Sequence, residues 1–164
     1  MGNLLWSSDR PDFVERVARL AGQTTYRVPV GGRSTSSDHL PDAHAIASAL
    51  AFARRGPEDI GPDVAYCLVL QSDAYRNKVV RKLASGLGDV IGAHSLRHAR
   101  NHAQTACDAA WDAVIHLKSG VSARRPTGCK EHAWDTMLLG AISVLHDSAW
   151  DSLMEAERRY RLAG

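Results

Sequence analysis

The sequence predicts an all-α protein, a compact bundle of about six helices with a short extended segment near its N-terminus. Two observations lead to this fold class. Apolar residues recur every three or four positions through most of the 164 residues, a spacing that lines one face of a helix. Clusters of glycine, proline and small polar residues separate these periodic stretches. Only residues 24–30 alternate apolar and polar side chains as a strand does.

A short amphipathic helix is predicted between Pro11 and Gly22. Its apolar positions are Phe13, Val17 and Leu20. The extended stretch follows, and the glycine- and serine-rich residues 31–37 after it are interpreted as a flexible loop. Because such a loop is typical of a hinge, we predict two units. Residues 1–36 hold the first helix, the extended segment and the loop, and residues 37–164 form the helical core domain.

Five further helices are predicted in the core domain from apolar spacing and from glycine and proline stops. They cover approximately residues 41–55, 63–71, 73–87, 95–118 and 130–162. The second of them is short and apolar throughout, so we interpret it as a buried helix, with a strand as the alternative. The last contains Asp147 and Ser148, where the helix either continues or breaks.

Composition excludes several classes of protein. No apolar run approaches the roughly 20 residues that cross a bilayer, and the first twelve residues do not have the pattern of a signal peptide. The three cysteines, Cys67, Cys107 and Cys129, are odd in number and far apart, which argues against a disulfide framework. We therefore expect a cytoplasmic protein without a membrane partner.

Charge is unevenly distributed along the chain, although the net charge is only +2. Residues 76–130 carry a net charge of +7, whereas residues 37–75 carry −4 and residues 131–164 carry −3. Segregated charge of this kind indicates an anionic partner. The alternative is that the acidic segments fold back and neutralise the basic one.

The start of the basic segment predicts a DNA-binding element. Residues 63–71, the Ser72 turn and the basic helix after it resemble a helix-turn-helix in outline, although the turn lacks the common glycine. Duplex DNA is therefore the predicted partner. The residues predicted to contact it are Arg76, Lys78, Arg81, Lys82, Arg97, His98, Arg100, Arg124, Arg125 and Lys130. For each of them the alternative is a solvated helix face.

No catalytic centre, metal site or cofactor is predicted. His94, His98 and His102 follow one another at four-residue steps, but no acidic residue lies between them to act as a base and no complete ligand set is specified. Motifs for phosphate loops, nucleophile elbows, dithiol chemistry and dinucleotide binding do not occur. A metal-dependent helical enzyme remains the alternative.

The tryptophans divide into two groups. Trp111 and Trp134 fall on apolar helix faces and are predicted to anchor the core. Trp150 and Met154 point away from the apolar face of the last helix if that helix is continuous. We predict that these two residues contact a protein partner. The alternative is a break near Ser148 that turns both side chains inward.

Two segments resemble phage-type Q antitermination proteins and their bacterial relatives. They are the alanine-rich run Asp42–Ala51 and the C-terminal stretch from Ala133-Trp134-Asp135 to Arg159. The resemblance implies a transcription antitermination factor that binds a promoter-proximal DNA element, loads onto paused RNA polymerase and makes it read through terminators. It transfers no individual residue role to this chain. The alternative function is a non-enzymatic protein-binding inhibitor, such as a phage anti-defence protein.

Overall fold

A computed structural model describes residues 4–24, 43–90, 96–117 and 125–163. Every regular element in these ranges is a helix, which confirms the predicted all-α bundle. The helices are α1 (Leu4–Thr24), α2 (Ala43–Ala51), α3 (Gly61–Leu70), α4 (Arg76–Val90), α5 (Leu96–Ile115) and α6 (Glu131–Ala163). None of them is long and apolar enough to cross a membrane. The predicted extended segment after residue 24, the polar loop and the domain boundary after residue 36 lie outside the described residues.

Helix α1 begins earlier than predicted, at Leu4, and it runs through Pro11. A proline inside a helix removes one backbone hydrogen bond. Here Phe13 and Val17 become fully buried in the turns that follow, and we attribute the tolerance of Pro11 to this burial. Helix α1 packs against α2, α3 and α6. Its apolar face therefore belongs to the same hydrophobic cluster as the helices of the core domain.

Helix α5 lies between α4 and α6 and forms extensive contacts with both. Its buried face consists largely of small residues, Ala103, Ala106 and Ala110 among them, followed by Trp111. Small side chains let neighbouring helices approach closely, so that a single large indole fills the space that remains. The prediction that Trp111 and Trp134 are buried is confirmed, since both side chains are in the core.

The short apolar segment is helix α3, and the strand alternative is wrong. Nearly all of its residues are buried, as expected for a helix that is apolar on every side. Gly61 starts α3 against α6, where a β-carbon would meet the Ser152 hydroxyl and lie 2.9 Å from the Ser148 carbonyl oxygen. The absence of a side chain at this position permits the close approach of the two helices.

Helix α6 is continuous from Glu131 to Ala163, so no break occurs at Asp147 and Ser148. Its buried side chains recur at three- and four-residue spacing along its whole length, which explains the continuity. They include Trp134, Met137, Ala141, Leu145, Ala149, Leu153 and Ala156. The long helix forms one wall of the bundle and contacts α1, α2, α3 and α5.

Candidate nucleic-acid interface

The turn between α3 and α4 has the backbone geometry that a glycine would favour. Gln71 ends α3 in the left-handed conformation, with φ of 51°, and its N–H donates to the carbonyl of Cys67. The Ser72 hydroxyl then accepts a hydrogen bond of 3.1 Å from the N–H of Ala74, a serine turn that precedes the first residue of α4, Arg76. The order helix, tight turn, helix is therefore present. Helix α4, however, packs on α5 and makes little contact with α3.

Helix α4 is divided into a buried face and a polar face. Val79, Val80, Leu83 and Ala84 are buried. The opposite, exposed face and the loop before α3 enclose a groove of about 500 Å³. We call it the α4 groove, and it is lined by Pro57, Glu58, Ile60, Asn77, Lys78, Arg81, Lys82 and Ser85. The structure thus brings together three of the predicted DNA-contacting residues, Lys78, Arg81 and Lys82.

The cations of the α4 groove differ in how strongly carboxylates hold them. Lys78 Nζ lies 2.7 Å from Oδ2 of Asp63, whose side chain is only 3% exposed. Lys82 Nζ lies 2.5 Å from Oε2 of Glu58, whose side chain is 78% exposed. The hydrogen bond from Lys82 lowers the pKa of the Glu58 carboxyl. Arg81 is exposed and forms no ion pair within the described part of the chain.

The carboxylate of Asp63 has a second partner. Its Oδ1 accepts a hydrogen bond of 2.8 Å from Nη2 of Arg54, while Oδ2 accepts from Lys78. A buried carboxylate is stable only when such donors satisfy it. Lys78 is therefore held in place by the fold, whereas Lys82 is held only by a surface ion pair, which contributes little free energy.

Arg76 does not line the α4 groove. Its side chain points to α5, where Nη1 lies 2.9 Å from Oδ1 of Asp112 and Nε lies 3.5 Å from Oδ1 of Asp108. The grouping of Arg76 with the exposed cations of α4 is therefore corrected. The sequence spacing could not reveal this, because the aspartates belong to another helix.

A polar cluster next to Arg76 joins the start of α4 to the end of α5. Oδ1 of Asp73 accepts a hydrogen bond of 2.7 Å from Nε1 of Trp111 and lies 2.7 Å from Nε2 of His116. The contacts with His116 and Trp111 lower the pKa of Asp73. His116 thus helps to fix the turn before α4.

No protein-family model matches the chain, and no similar curated protein or solved structure was found. The side chains of Arg97, His98, Arg100 and Arg124 lie outside the described part of the structure. Arg125 and Lys130 are exposed in the segment that leads into α6.

Trp150 is not an exposed residue, and this expectation from the sequence is wrong. Its ring meets the ring of Phe13 edge-on, with 5.1 Å between centroids, and the guanidinium of Arg16 lies 5.4 Å from its centroid. Helix α1 covers this flank of α6, which the pattern of α6 alone could not show. Met154 is 56% exposed, as predicted.

An arginine-rich surface that was not predicted from the sequence surrounds Met154. It combines side chains from α1, from the loop after α2 and from the end of α6, and we call it the α6 arginine surface. Its residues are Arg16, Arg55, Asp151, Met154, Glu155, Glu157, Arg158 and Arg161. These residues lie far apart in the sequence, and the C-terminal segment alone is net acidic. Only the tertiary fold brings the arginines together.

Arginine–glutamate ion pairs centred on Glu157 and Glu155 organise this surface. Arg16 donates to both oxygens of Glu157, at 3.0 and 2.7 Å. Hydrogen bonds from Arg158 and Arg159 lower the pKa of Glu155 to about 2. Both glutamates are thus engaged, and Arg161 forms no ion pair within the described residues.

The cysteines are buried and unpaired as thiols. Burial raises the pKa of Cys67 to about 11 and that of Cys107 to about 12. Neither thiol is therefore reactive at neutral pH. Among the residues that the structure describes, no group of three histidine, cysteine or acidic side chains is placed to hold a metal ion.

Proposed function

We propose that the protein is a transcription regulator that binds duplex DNA through the α4 groove. The observation that carries the proposal is the exposed polar face of α4, on which Lys78, Arg81 and Lys82 line one groove. An α-helix with its side chains is roughly 10–12 Å across and enters a DNA major groove about 12 Å wide. Lysine and arginine on such a helix neutralise phosphates and release counterions.

The ion pair between Lys82 and Glu58 does not prevent this binding. Glu58 is largely exposed, and a surface pair of this kind contributes roughly 0–1 kcal/mol. DNA phosphates would therefore displace the carboxylate at small cost. Arg81 needs no such exchange, because it forms no ion pair within the described residues.

We also propose that the DNA-bound protein loads onto RNA polymerase and allows the polymerase to read through terminators. The resemblance to Q antitermination proteins supports this role. The α6 arginine surface is the proposed polymerase contact, because arginine and methionine are enriched in protein interfaces. Met154 supplies an exposed apolar centre there.

The second candidate is a protein-binding inhibitor that acts without DNA. The same α6 arginine surface favours it, since arginines around an exposed methionine suit an acidic protein surface. A pull-down before and after nuclease treatment separates the two candidates. An antitermination factor would bring down DNA and RNA polymerase and lose only the DNA under nuclease, whereas an inhibitor would bring down no DNA and retain a different protein target.

Replacing Glu58 by glutamine is expected to tighten binding to duplex DNA about fivefold at low ionic strength. The substitution removes a negative charge next to Lys82, and such a charge interacts by about 1 kcal/mol across 4 Å of water. Fluorescence anisotropy with a labelled duplex measures the change.

The matched control for this measurement is Glu15→Gln, which removes the same charge from another exposed ion pair, the one with Arg19 on α1. It should have little effect on affinity. Equal gains in both variants would show that net charge alone governs binding and would contradict a site at α4.

A further inference from the structure

We infer that Asn77, Arg81 and Ser85 read the base sequence of the bound DNA, and that the target contains an adenine and a guanine about two base pairs apart. The inference rests on the proposed DNA-binding function. All three side chains are exposed, line the α4 groove and recur every fourth residue. Within the described residues none of them forms a side-chain hydrogen bond or ion pair.

Lys78 and Lys82 form the neighbouring row on the same face of α4, and both of these side chains are paired with carboxylates. Lys78 is turned toward Asp63 in the first turn of α3, and Lys82 is turned toward Glu58 in the loop before α3. A lysine ammonium is a point charge that suits a phosphate, and it has no planar arrangement of donors for a base edge. The lysine row therefore fits the DNA backbone, and the other row is left for the bases.

The side chains of Asn77, Arg81 and Ser85 can form hydrogen bonds with base edges. The arginine fork donates two hydrogen bonds to O6 and N7 of guanine, and an asparagine amide pairs with N6 and N7 of adenine. A serine hydroxyl contacts either base. Asn77 and Arg81 thus each have one preferred base, and Ser85 adds a contact without a strong preference.

The spacing of the row sets the spacing of the bases. Residues four apart are about 6 Å apart along a helix axis, and base pairs stack about 3.4 Å apart. For a helix lying along the major groove, Asn77 and Arg81 reach positions about two base-pair steps apart. A target with adenine at one position and guanine at the other satisfies both side chains.

Selection of bound sequences from a randomised duplex library tests this inference. The full-length protein is compared with three variants, Asn77→Ala, Arg81→Ala and Lys82→Ala. We expect the unchanged protein to select a motif with both bases, each preferred roughly 5- to 150-fold over the alternatives. Arg81→Ala should lose the guanine preference alone, and Asn77→Ala the adenine preference alone. Lys82→Ala should bind all sequences more weakly and select the same motif.

Thermal melts of the variants confirm that each is folded, which is expected because the three side chains are exposed. A guanine preference that survives in Arg81→Ala would overturn the readout and leave DNA binding by the α4 groove standing. Equal binding of all sequences by the unchanged protein would also overturn the base readout, while DNA binding by the α4 groove would stand. A protein that binds no duplex would overturn both the readout and the proposed function.

Discussion

Replacing Trp111 by alanine is expected to lower the free energy of unfolding by about 3–5 kcal/mol. The indole is completely buried in α5, and its Nε1 donates a hydrogen bond of 2.7 Å to Asp73. The substitution therefore opens a cavity and removes a contact that holds the turn before α4. A domain of this size is stable by only about 5–15 kcal/mol, so the variant should melt far below the unchanged protein.

Trp111→Phe is the milder comparison. It retains an aromatic ring in the core but removes the hydrogen-bond donor and part of the buried ring volume, so the loss should be clearly smaller than for Trp111→Ala. Urea denaturation followed by circular dichroism measures both variants. If Trp111→Ala unfolds at the same urea concentration as the unchanged protein, the packing of α5 described above is wrong.

Gly61→Ala is expected to have the second largest effect on stability. It should lower the free energy of unfolding by about 1–3 kcal/mol or more. A β-carbon at this position would collide with the Ser152 hydroxyl and approach the Ser148 carbonyl oxygen to 2.9 Å. Because the second contact is to backbone, a rotamer change cannot relieve it. Helix α3 would have to move away from α6.

Gly140→Ala is the matched control, because a β-carbon there meets no atom within 4 Å. Gly140 lies inside α6, where alanine favours the helix by about 1 kcal/mol. The two substitutions should thus shift the urea midpoint in opposite directions. A shift of Gly61→Ala toward higher stability would refute the close approach of α3 and α6.

Much of the fold could be predicted from local patterns, because most helices carry their own signals. The spacing of apolar residues located α4, α5 and α6 to within a few residues, and the buried positions of Trp111 and Trp134 followed from it. The start of α1 was missed because a proline usually marks a first turn, whereas Pro11 lies inside the helix. Tertiary packing of Phe13 overrides that local preference.

The candidate site was only partly predictable. The spacing of Lys78, Arg81 and Lys82 placed them on one face of a helix. Their differing availability depends on Asp63 and Glu58, which the fold supplies from an earlier segment. These ion pairs and the α6 arginine surface join residues that lie far apart in the sequence, so the pattern of a single helix does not predict them.

The partial burial of Trp150 could likewise not be predicted from the pattern of α6 alone. Its position on α6 predicted exposure, and only the packing of α1 covers it. We accordingly expect Trp150→Ala to destabilise the protein, and by less than Trp111→Ala because Trp150 is only partly buried.

The salt dependence of duplex binding tests most directly whether the α4 groove binds DNA. The unchanged protein is compared with the double variant Arg81→Ala, Lys82→Ala. The control is Arg19→Ala, Arg158→Ala, which removes two exposed arginines from α1 and α6. A plot of log affinity against log salt concentration should become shallower by roughly one unit in the first variant, about 0.9 for the phosphate contact of Lys82, and stay unchanged in the control. Identical affinities and slopes in all three proteins would contradict DNA binding by the α4 groove.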